Sequence, residues 1–533
     1  MRYGSICHFS SELVYFGKTN VDKGGQPFLF AAVRSATISG IEGVLVRVEV
    51  DVAGGLPGLE IVGLADTSVR EARHRVRSAL RNSGFDVPPR KITVNLSPAY
   101  LHKEGSQLDL AIAAGILLAS GQVPMNERVS RWCLLGELAL DGAVRAVRGA
   151  LAMVLAAGAG GMEGTIVPRD NRGEVAFLPG SRAKSVASLQ ELVRFLAGED
   201  LPEVASEGRD GSRQTTRPAV DLADIHGQRA AKRAIEVACA GGHNVLLVGP
   251  PGAGKSMLAK AIPGLLPDLT DEESLEVTRI HSVAGTLPPG SGLVKARPFR
   301  SPHHTITASA LVGGGPDPRP GEVTLAHRGV LFLDELPEFP ASLLNALRQP
   351  LEDGVAVITR SRATYAFPSR FLLVGAMNPC KCGWYGSGQR QCTCTEYERT
   401  QYASRVSEPL LDRIDIRLEV GRVEADELNE SRGESSAAVR ERILEARLRQ
   451  DKRFRGSHLS CNSEMGPSDI SRLTSLSSAA RKMALEAFER MRLSARGYYR
   501  VLKVAASIAD LEGAPRIEEH HVAEALSYRG NSE

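Results

Sequence analysis

Gly249-Pro250-Pro251-Gly252-Ala253-Gly254-Lys255-Ser256 is the stretch whose reading decides the fold. An apolar run, Asn244-Val245-Leu246-Leu247-Val248, leads into it, and Met257-Leu258-Ala259-Lys260-Ala261-Ile262 follows. A buried strand, a glycine-rich turn and a helix start therefore come in the order that a phosphate cradle needs. Every fixed position of GxxxxGKS is filled, so the stretch reads as a P-loop. Its glycines let backbone N–H groups converge on phosphate oxygens, Lys255 reaches the β and γ oxygens, and the Ser256 hydroxyl binds Mg²⁺ at a helix N-terminus.

Two more strands carry chemistry to the same place. Gly329-Val330-Leu331-Phe332-Leu333-Asp334-Glu335 is an apolar strand ending in two carboxylates. An Asp-Glu pair after a strand is often only a strand end. Downstream of an intact P-loop it reads as a Walker B strand: Asp334 holds the Mg²⁺ shell and Glu335 orients the attacking water. Phe371-Leu372-Leu373-Val374-Gly375-Ala376-Met377 then delivers Asn378, whose amide can position that water.

The 533 residues imply about three domains. A net charge of +3 with 24% charged residues imposes no global field, so any basic surface is local. No apolar run reaches the roughly 20 residues that span a bilayer, and the N-terminus lacks the order of a signal peptide. A soluble, cytoplasmic protein is expected. Four of eight cysteines, Cys380, Cys382, Cys392 and Cys394, fall within fifteen residues. They can close a tetrahedral Zn²⁺ site of a structural kind, or remain free thiols. Cys7, Cys133, Cys239 and Cys461 are scattered, as plain thiols would be.

Residues 1–28 read as a loose extension. No methionine lies between Met1 and Met125, so translation from a non-AUG codon near Leu29 is expected, and the mass of the native N-terminus checks it. Residues 29–197 mix strands (44–50, 60–64, 91–96) with buried helices at 108–119 and 149–159. Between two strands, Val69 to Arg81 forms a helix carrying Arg70, Arg73, His74, Arg75, Arg77 and Arg81. It reads either as a solvated face or as a phosphate-contacting one. Residues 198–221 have the composition of a tether. Residues 222–425 hold the nucleotide core, with a helix from Ala230 to Ala240 ahead of the P-loop strand, and 426–533 turn helical as a lid.

Several stretches resemble known families. Lys103-Glu104-Gly105, Leu135-Gly136-Glu137-Leu138-Ala139-Leu140-Asp141-Gly142 and Ile166-Val167-Pro168 look like the Lon proteolytic domain, which has a ribosomal-S5-like α+β fold. That resemblance implies a serine activated by a lysine. Gln107 or, one residue off, Ser106 falls at the serine position and Leu151 at the lysine position, and no lysine occurs from Gly105 to Ala183. A serine without its base is a weak nucleophile, so a non-proteolytic domain is expected.

Asp224-Ile225-His226-Gly227-Gln228 resembles the segment of AAA+ ATPases that lies along adenine, which implies contacts from Ile225, Gly227 and Gln228. Leu410-Leu411-Asp412-Arg413-Ile414-Asp415 resembles the trans-acting finger segment of ring ATPases, with Arg413 as the finger and Arg405 a second candidate. Arg496, with Arg500 behind it, looks like the sensor 2 arginine of the lid. Phe299-Arg300-Ser301-Pro302-His303-His304, Val312-Gly313-Gly314-Gly315, Pro320-Gly321-Glu322-Val323-Thr324-Leu325-Ala326-His327 and Met377-Asn378-Pro379-Cys380 resemble magnesium-chelatase-like AAA+ proteins. With the Lon-like domain in front, the resemblance narrows to the ComM-type (YifB-like) family. It implies a parallel-sheet α/β core with a helical lid, ATP and Mg²⁺ as ligands, and hexameric rings that promote branch migration of DNA in natural transformation.

The residues add a place for DNA. Gly354 to Phe367 reads as a hairpin with a basic tip, Arg360 and Arg362, able to track phosphates, or as a solvated edge guarded by charge. His303 and His304 read as loop histidines or DNA ligands. Two rivals remain: an ATPase subunit driving a metal chelatase, and a remodeller of protein partners, neither needing DNA.

Overall fold

The computed structural model describes residues 20–21, 27–178, 180, 182–204, 220–288, 290–315, 318–360, 363–388, 390–423 and 433–529. Two compact units result. One takes the chain to Arg213 together with Thr278–Leu293; the other takes Gln214–Val277 and Val294–Glu533. Most of the tether, residues 205–219, lies outside the described residues.

The second unit is built on a five-stranded sheet in the order Phe299–Arg300, Val330–Leu333, Leu372–Met377, Val245–Val248, Ile416–Glu419. Every pairing in it is parallel. Helices flank a sheet of this kind, so both its faces are covered, and the strands read as unbroken apolar runs: Val330–Leu333 and Leu372–Met377 are buried at every residue. Leu333 pairs with Gly375, and Val248 with both Met377 and Glu419. The carboxyl ends of three strands are thereby level, and that edge is where open α/β sheets bind ligands.

The C-terminal region is helical: Ser436–Arg453, Ser478–Arg490, Ala495–Glu512 and Glu519–Ser527. Serines start the first three, since Ser435, Ser477 and Ser494 accept from the N–H groups of Ala438, Ala480 and Gly497. Such caps satisfy amide donors that the first turn leaves open. Ile443, Leu502, Ile508 and Val522 from these helices share one buried core with Ile235, Leu258, Phe332 and Val374 around the sheet.

The first unit holds a mixed sheet in the order Ala183–Val186, Gly164–Pro168, Trp132–Leu134, Pro27–Ser39, Glu42–Ala53, Lys91–Ser97, Gly58–Val62, with Asn20–Val21 beside Pro27–Ser39. Its spine is the long antiparallel pair Pro27–Ser39 and Glu42–Ala53. Against these strands pack the helices Asp109–Ala119, buried at every residue, and Ala150–Ala159. Gly43 lets the second helix approach, because a Cβ there would lie 2.3 Å from the Ala152 carbonyl oxygen. No helix among the described residues is long and apolar enough to cross a membrane.

Candidate active site

The P-loop joins Val245–Val248 to the helix Lys255–Leu265. Gly252 and Gly254 have φ of 79° and 84°, the left-handed region that glycine enters without steric cost. Gly249 serves another need: a Cβ there would sit 2.2 Å from the Val420 carbonyl oxygen. The Lys255 ammonium is buried and donates to the carbonyls of Gly249 (2.6 Å) and Pro250 (2.9 Å) and to Asn378 Oδ1 (3.1 Å). Burial pushes its pKa down, while the nearby carboxylates of Asp334 and Glu335 pull it back up.

Ser256 Oγ donates to Asp334 Oδ2 at 2.8 Å, and Asp334 Oδ1 accepts from the Glu335 N–H at 3.0 Å. A hydroxyl and a carboxylate at this spacing, both hard oxygen donors, suit Mg²⁺ with water filling its other positions. Glu335 has φ of 51°, a conformation that costs a non-glycine residue about 1 kcal/mol or more and gathers at functional sites. Lys255, Ser256, Asp334, Glu335 and Asn378 thus converge at the strand ends from three segments far apart in sequence.

Gln228 is a second strained residue, with φ of 53°. Its side chain donates to the Gly421 carbonyl and, at 3.4 Å, to that of Ala253. Gly227 also has positive φ, 56°, and Ile225 is buried. Gln228 therefore reaches the P-loop's Ala253 from the segment 225–228, and Ile225 shares the same buried core as Ala253.

The arginines divide by exposure. Arg413 is 12% exposed, pairs with Glu352 and donates to the Pro409 carbonyl at 2.6 Å. Arg496 is 66% exposed and reaches the same Glu352 at 3.6 Å. The candidate finger and the candidate lid arginine therefore meet on one carboxylate, 61 residues from the first along the chain. Arg500 is held between Asp412 (3.7 Å) and Asp415 (3.5 Å), and Arg405 pairs with Glu338 at 3.2 Å.

The expected hairpin is present as Val355–Thr359 and Thr364–Pro368, antiparallel, with the Arg360 N–H donating to the Ala363 carbonyl. Ala356, Ile358 and Phe367 face inward, and Arg360 is exposed at the tip. Arg362 lies outside the described residues. A second small hairpin, Gly313–Gly314 with Arg319–Pro320, stands beside it: a Cβ on Gly314 would lie 3.2 Å from the Arg360 guanidinium. The four cysteine Sγ atoms of Cys380, Cys382, Cys392 and Cys394 all lie within 4.8 Å of one another.

Sequence reasoning left two partners unseen. His304 Nδ1 lies 3.7 Å from Glu335 Oε2, so one of the loop histidines borders the site rather than standing apart. Glu352 carried no motif at all. Neither contact has a local signal, since each joins segments more than 30 residues apart.

In the first unit the Ser106 hydroxyl donates to the Glu137 carboxylate, Gln107 donates to Thr37 Oγ1 at 2.9 Å, and Leu151 is buried in the core. Lys103 is fully buried with its ammonium on the carbonyls of Gly63 (3.0 Å), Leu96 (2.9 Å) and Pro98. On the basic helix, now Thr67–Asn82, Arg70, Arg73, His74, Arg77 and Arg81 are exposed, while Arg75 turns to Asp109.

Comparison with known proteins gives this geometry a family. Residues 221–428 match the profile described as magnesium chelatase, subunit ChlI; residues 48–171 match subunit ChlI of Mg-chelatase, and 433–529 its C-terminal part. An uncharacterized protein of Mycobacterium tuberculosis is 44% identical over 93% of this chain and 97% of its own length. YifB of Escherichia coli is 43% identical over 93% of the chain and 96% of its own. Competence protein ComM of Haemophilus influenzae is 42% identical over 94% and 97%. With a five-stranded parallel core, the P-loop at its edge and similarity running nearly end to end, the chain belongs to the ComM-type family of magnesium-chelatase-like AAA+ ATPases.

Proposed function

We propose that this chain is an ATP-driven ring motor on branched or single-stranded DNA, a hexameric helicase that promotes branch migration in recombination and natural transformation. One observation carries the reading: the hairpin Val355–Pro368, with Arg360 exposed at its tip, lies in the segment between the Asp334-Glu335 strand and the Asn378 strand, after the helices Ala341–Ala346 and Arg348–Asp353 and immediately before the Asn378 strand. A basic tip on a hairpin that runs straight into the Asn378 strand is suited to coupling the ATP site to a phosphate backbone. The similarity to a protein called a competence protein supports the DNA substrate, and a cytoplasmic location goes with that reading.

In this reading the chain's segments act as the tether 198–221, the motor core 222–425 and the lid 426–533, behind a non-proteolytic domain at 29–197. P-loop amides and Lys255 hold the phosphates of ATP, and Ile225, Gly227 and Gln228 border the adenine. Mg²⁺, held through Ser256 and Asp334, supplies neutralisation of the charge that develops between the β and γ phosphates. Glu335 orients water for in-line attack and Asn378 keeps that water and Lys255 in register. Arg413 leaves Glu352 to reach the neighbouring subunit's γ-phosphate, so hydrolysis requires the ring.

A second reading, a motor that drives a metal-inserting or protein partner, is favoured by the ChlI profile match alone. ATPase rate with and without forked or four-way-junction DNA separates the two. Stimulation that Arg360→Ala/Arg362→Ala loses supports the DNA motor; a rate indifferent to every DNA overturns it in favour of the second reading.

A further inference from the structure

The four thiols near Asn378 are placed as metal ligands and, through two contacts, against the P-loop. Cys380 Sγ lies 3.3 Å from Cys382 Sγ and 3.6 Å from Cys392 Sγ, and Cys382 to Cys392 is 3.6 Å. Zn–S bonds of about 2.3 Å in a tetrahedron set sulfurs about 3.8 Å apart, whereas a disulfide needs about 2.05 Å. The spacing is that of ligands around an ion. Cys380 is fully buried, and the Cys382 N–H donates to Cys394 Sγ at 3.4 Å, the kind of backbone contact that orients a metal-bound thiolate. Arg399 lies 4.3 Å over the Tyr385 ring and closes the loop between the two cysteine pairs.

From this cluster two links run to the nucleotide site. Cys380 follows Asn378 by two residues, and Asn378 Oδ1 accepts from Lys255 Nζ at 3.1 Å. Gly383, tied by its N–H to the Cys380 carbonyl at 3.0 Å, has φ of 86°, and a Cβ there would lie 2.7 Å from Pro251 Cδ of the P-loop. The backbone between two cysteines of the cluster is thus in contact with the phosphate loop itself. On the far side, Thr395 follows Cys394 and closes a capping box that starts the helix Glu396–Ala403.

We propose that Cys380, Cys382, Cys392 and Cys394 bind one thiophilic divalent cation, Zn²⁺ by chemistry, and that this ion braces the P-loop through Gly383 and holds Asn378 against Lys255, so that metal occupancy sets nucleotide affinity. The inference rests on the P-loop being the ATP site. Four thiolates leave no open position on the ion, so its part is mechanical. Among the described residues of the loop only Cys380 and Gly383 are buried, too few for an apolar core, and the ion supplies the ordering that a core otherwise gives.

The test uses the full chain. Metal content of the purified protein is measured, and Co²⁺ is substituted to read tetrahedral thiolate absorption. One metal per chain and a tetrahedral Co²⁺ spectrum are expected, both lost in Cys392→Ser/Cys394→Ser. Affinity for a fluorescent ADP is then compared, and it should fall about tenfold on metal removal, the loss of about 1.4 kcal/mol of support at the P-loop, with the helical circular dichroism retained. Gly383→Ala should keep the metal and still weaken ADP binding, which separates the brace from general unfolding. A metal-free wild type with no tetrahedral Co²⁺ spectrum overturns the site. Equal ADP affinity with and without metal overturns the brace. A metal-loaded wild type that binds no ADP at all overturns the ATP reading and the brace with it, while the metal count still decides the site.

Discussion

Two arginine–carboxylate pairs, one in each unit, use the same chemistry under opposite exposure. Arg75 meets Asp109 through two N–H···O bonds of 2.7 and 3.0 Å, with the acid 1% exposed and the arginine 21%. Arg413 meets Glu352 with the arginine 12% exposed and the carboxylate 51%. Burial pushes the Asp109 carboxyl up to about 6 even with the Arg75 guanidinium pulling against it. The hydrogen bond from Arg413 instead holds the Glu352 carboxyl below its ordinary value. Water can replace Arg413 at Glu352, but nothing can replace Arg75 at Asp109. Glu352 also receives Arg496, and the Arg413 Nε is buried without a hydrogen-bond partner among the described residues. The inner pair has its carboxylate sealed in the fold; the outer pair has its carboxylate open to water, which the proposed release of Arg413 requires.

That contrast breaks first at Arg413. Arg413→Ala should lower ATP turnover by about 10³-fold or more, the range for a trans-acting arginine, while leaving ADP affinity and thermal unfolding near those of the wild type. Mixing the variant with a hydrolysis-dead Lys255→Ala chain sharpens the point. Each mixed ring then contains interfaces with one intact arginine and one intact P-loop, so partial recovery of activity marks a shared site. Normal turnover by Arg413→Ala alone would sink the finger role and leave the pair with Glu352 as structural as the one with Asp109.

The inner pair should fail the other way. Arg75→Leu strands a buried carboxylate, for which about 3–5 kcal/mol of destabilisation is expected at pH 8, seen as an earlier unfolding transition. Burial raises the folded carboxyl's pKa, and Arg75 is what pulls it back to about 6; without the arginine Asp109 takes up its proton at a higher pH, so the loss shrinks as pH falls from 8 and has levelled off by about 6. Below the onset of unfolding, turnover per folded chain should stay within a factor of about two, since Arg75 and Asp109 belong to the first unit and the P-loop, Asp334, Glu335 and Asn378 to the second. A variant as stable as the wild type at pH 8 would mean that Asp109 is already neutral there.

The two units also differ in how much of them could be read from the sequence. The P-loop, Asp334, Glu335, Asn378 and the cysteine cluster were legible because each is a local pattern: a glycine-rich turn or an apolar strand with polar residues at its end. Arg413, Arg496 and the segment from Ile225 to Gln228 came from resemblance, and the meeting of the two arginines on Glu352 came from neither, because it joins three segments that only the fold brings together. In the first unit the helix Asp109–Ala119 was plain from its unbroken apolar run. The strand Pro27–Ser39 was not, because among its buried positions Ala31, Val33, Ser35, Ala36 and Thr37 only Val33 is a larger apolar residue, too little to show an apolar alternation. The inward turn of Arg75, on a helix whose other basic side chains are exposed, is equally silent in a count of charges.

His304 and Glu335 form a third pair, weaker than either and placed where the comparison is most sensitive. Their atoms are 3.7 Å apart, with the imidazole 31% and the carboxylate 58% exposed. His304 is steadied from its other sides, with the His303 ring at 4.0 Å and the Phe339 ring edge-on at 6.3 Å. It lies four residues beyond Arg300, in the segment after the sheet's edge strand, so anything that shifts this segment moves the imidazole relative to Glu335. Exposed pairs contribute about 0–1 kcal/mol, which corresponds to a change in rate of at most about fivefold. His304→Ala should therefore raise the DNA-free ATPase rate about two- to fivefold by freeing Glu335 to orient water, and should reduce the stimulation by DNA through the same factor. A rate that falls toward background instead would make His304 part of the hydrolytic apparatus rather than a restraint on it, and Glu335 would then share its task of orienting water with the imidazole.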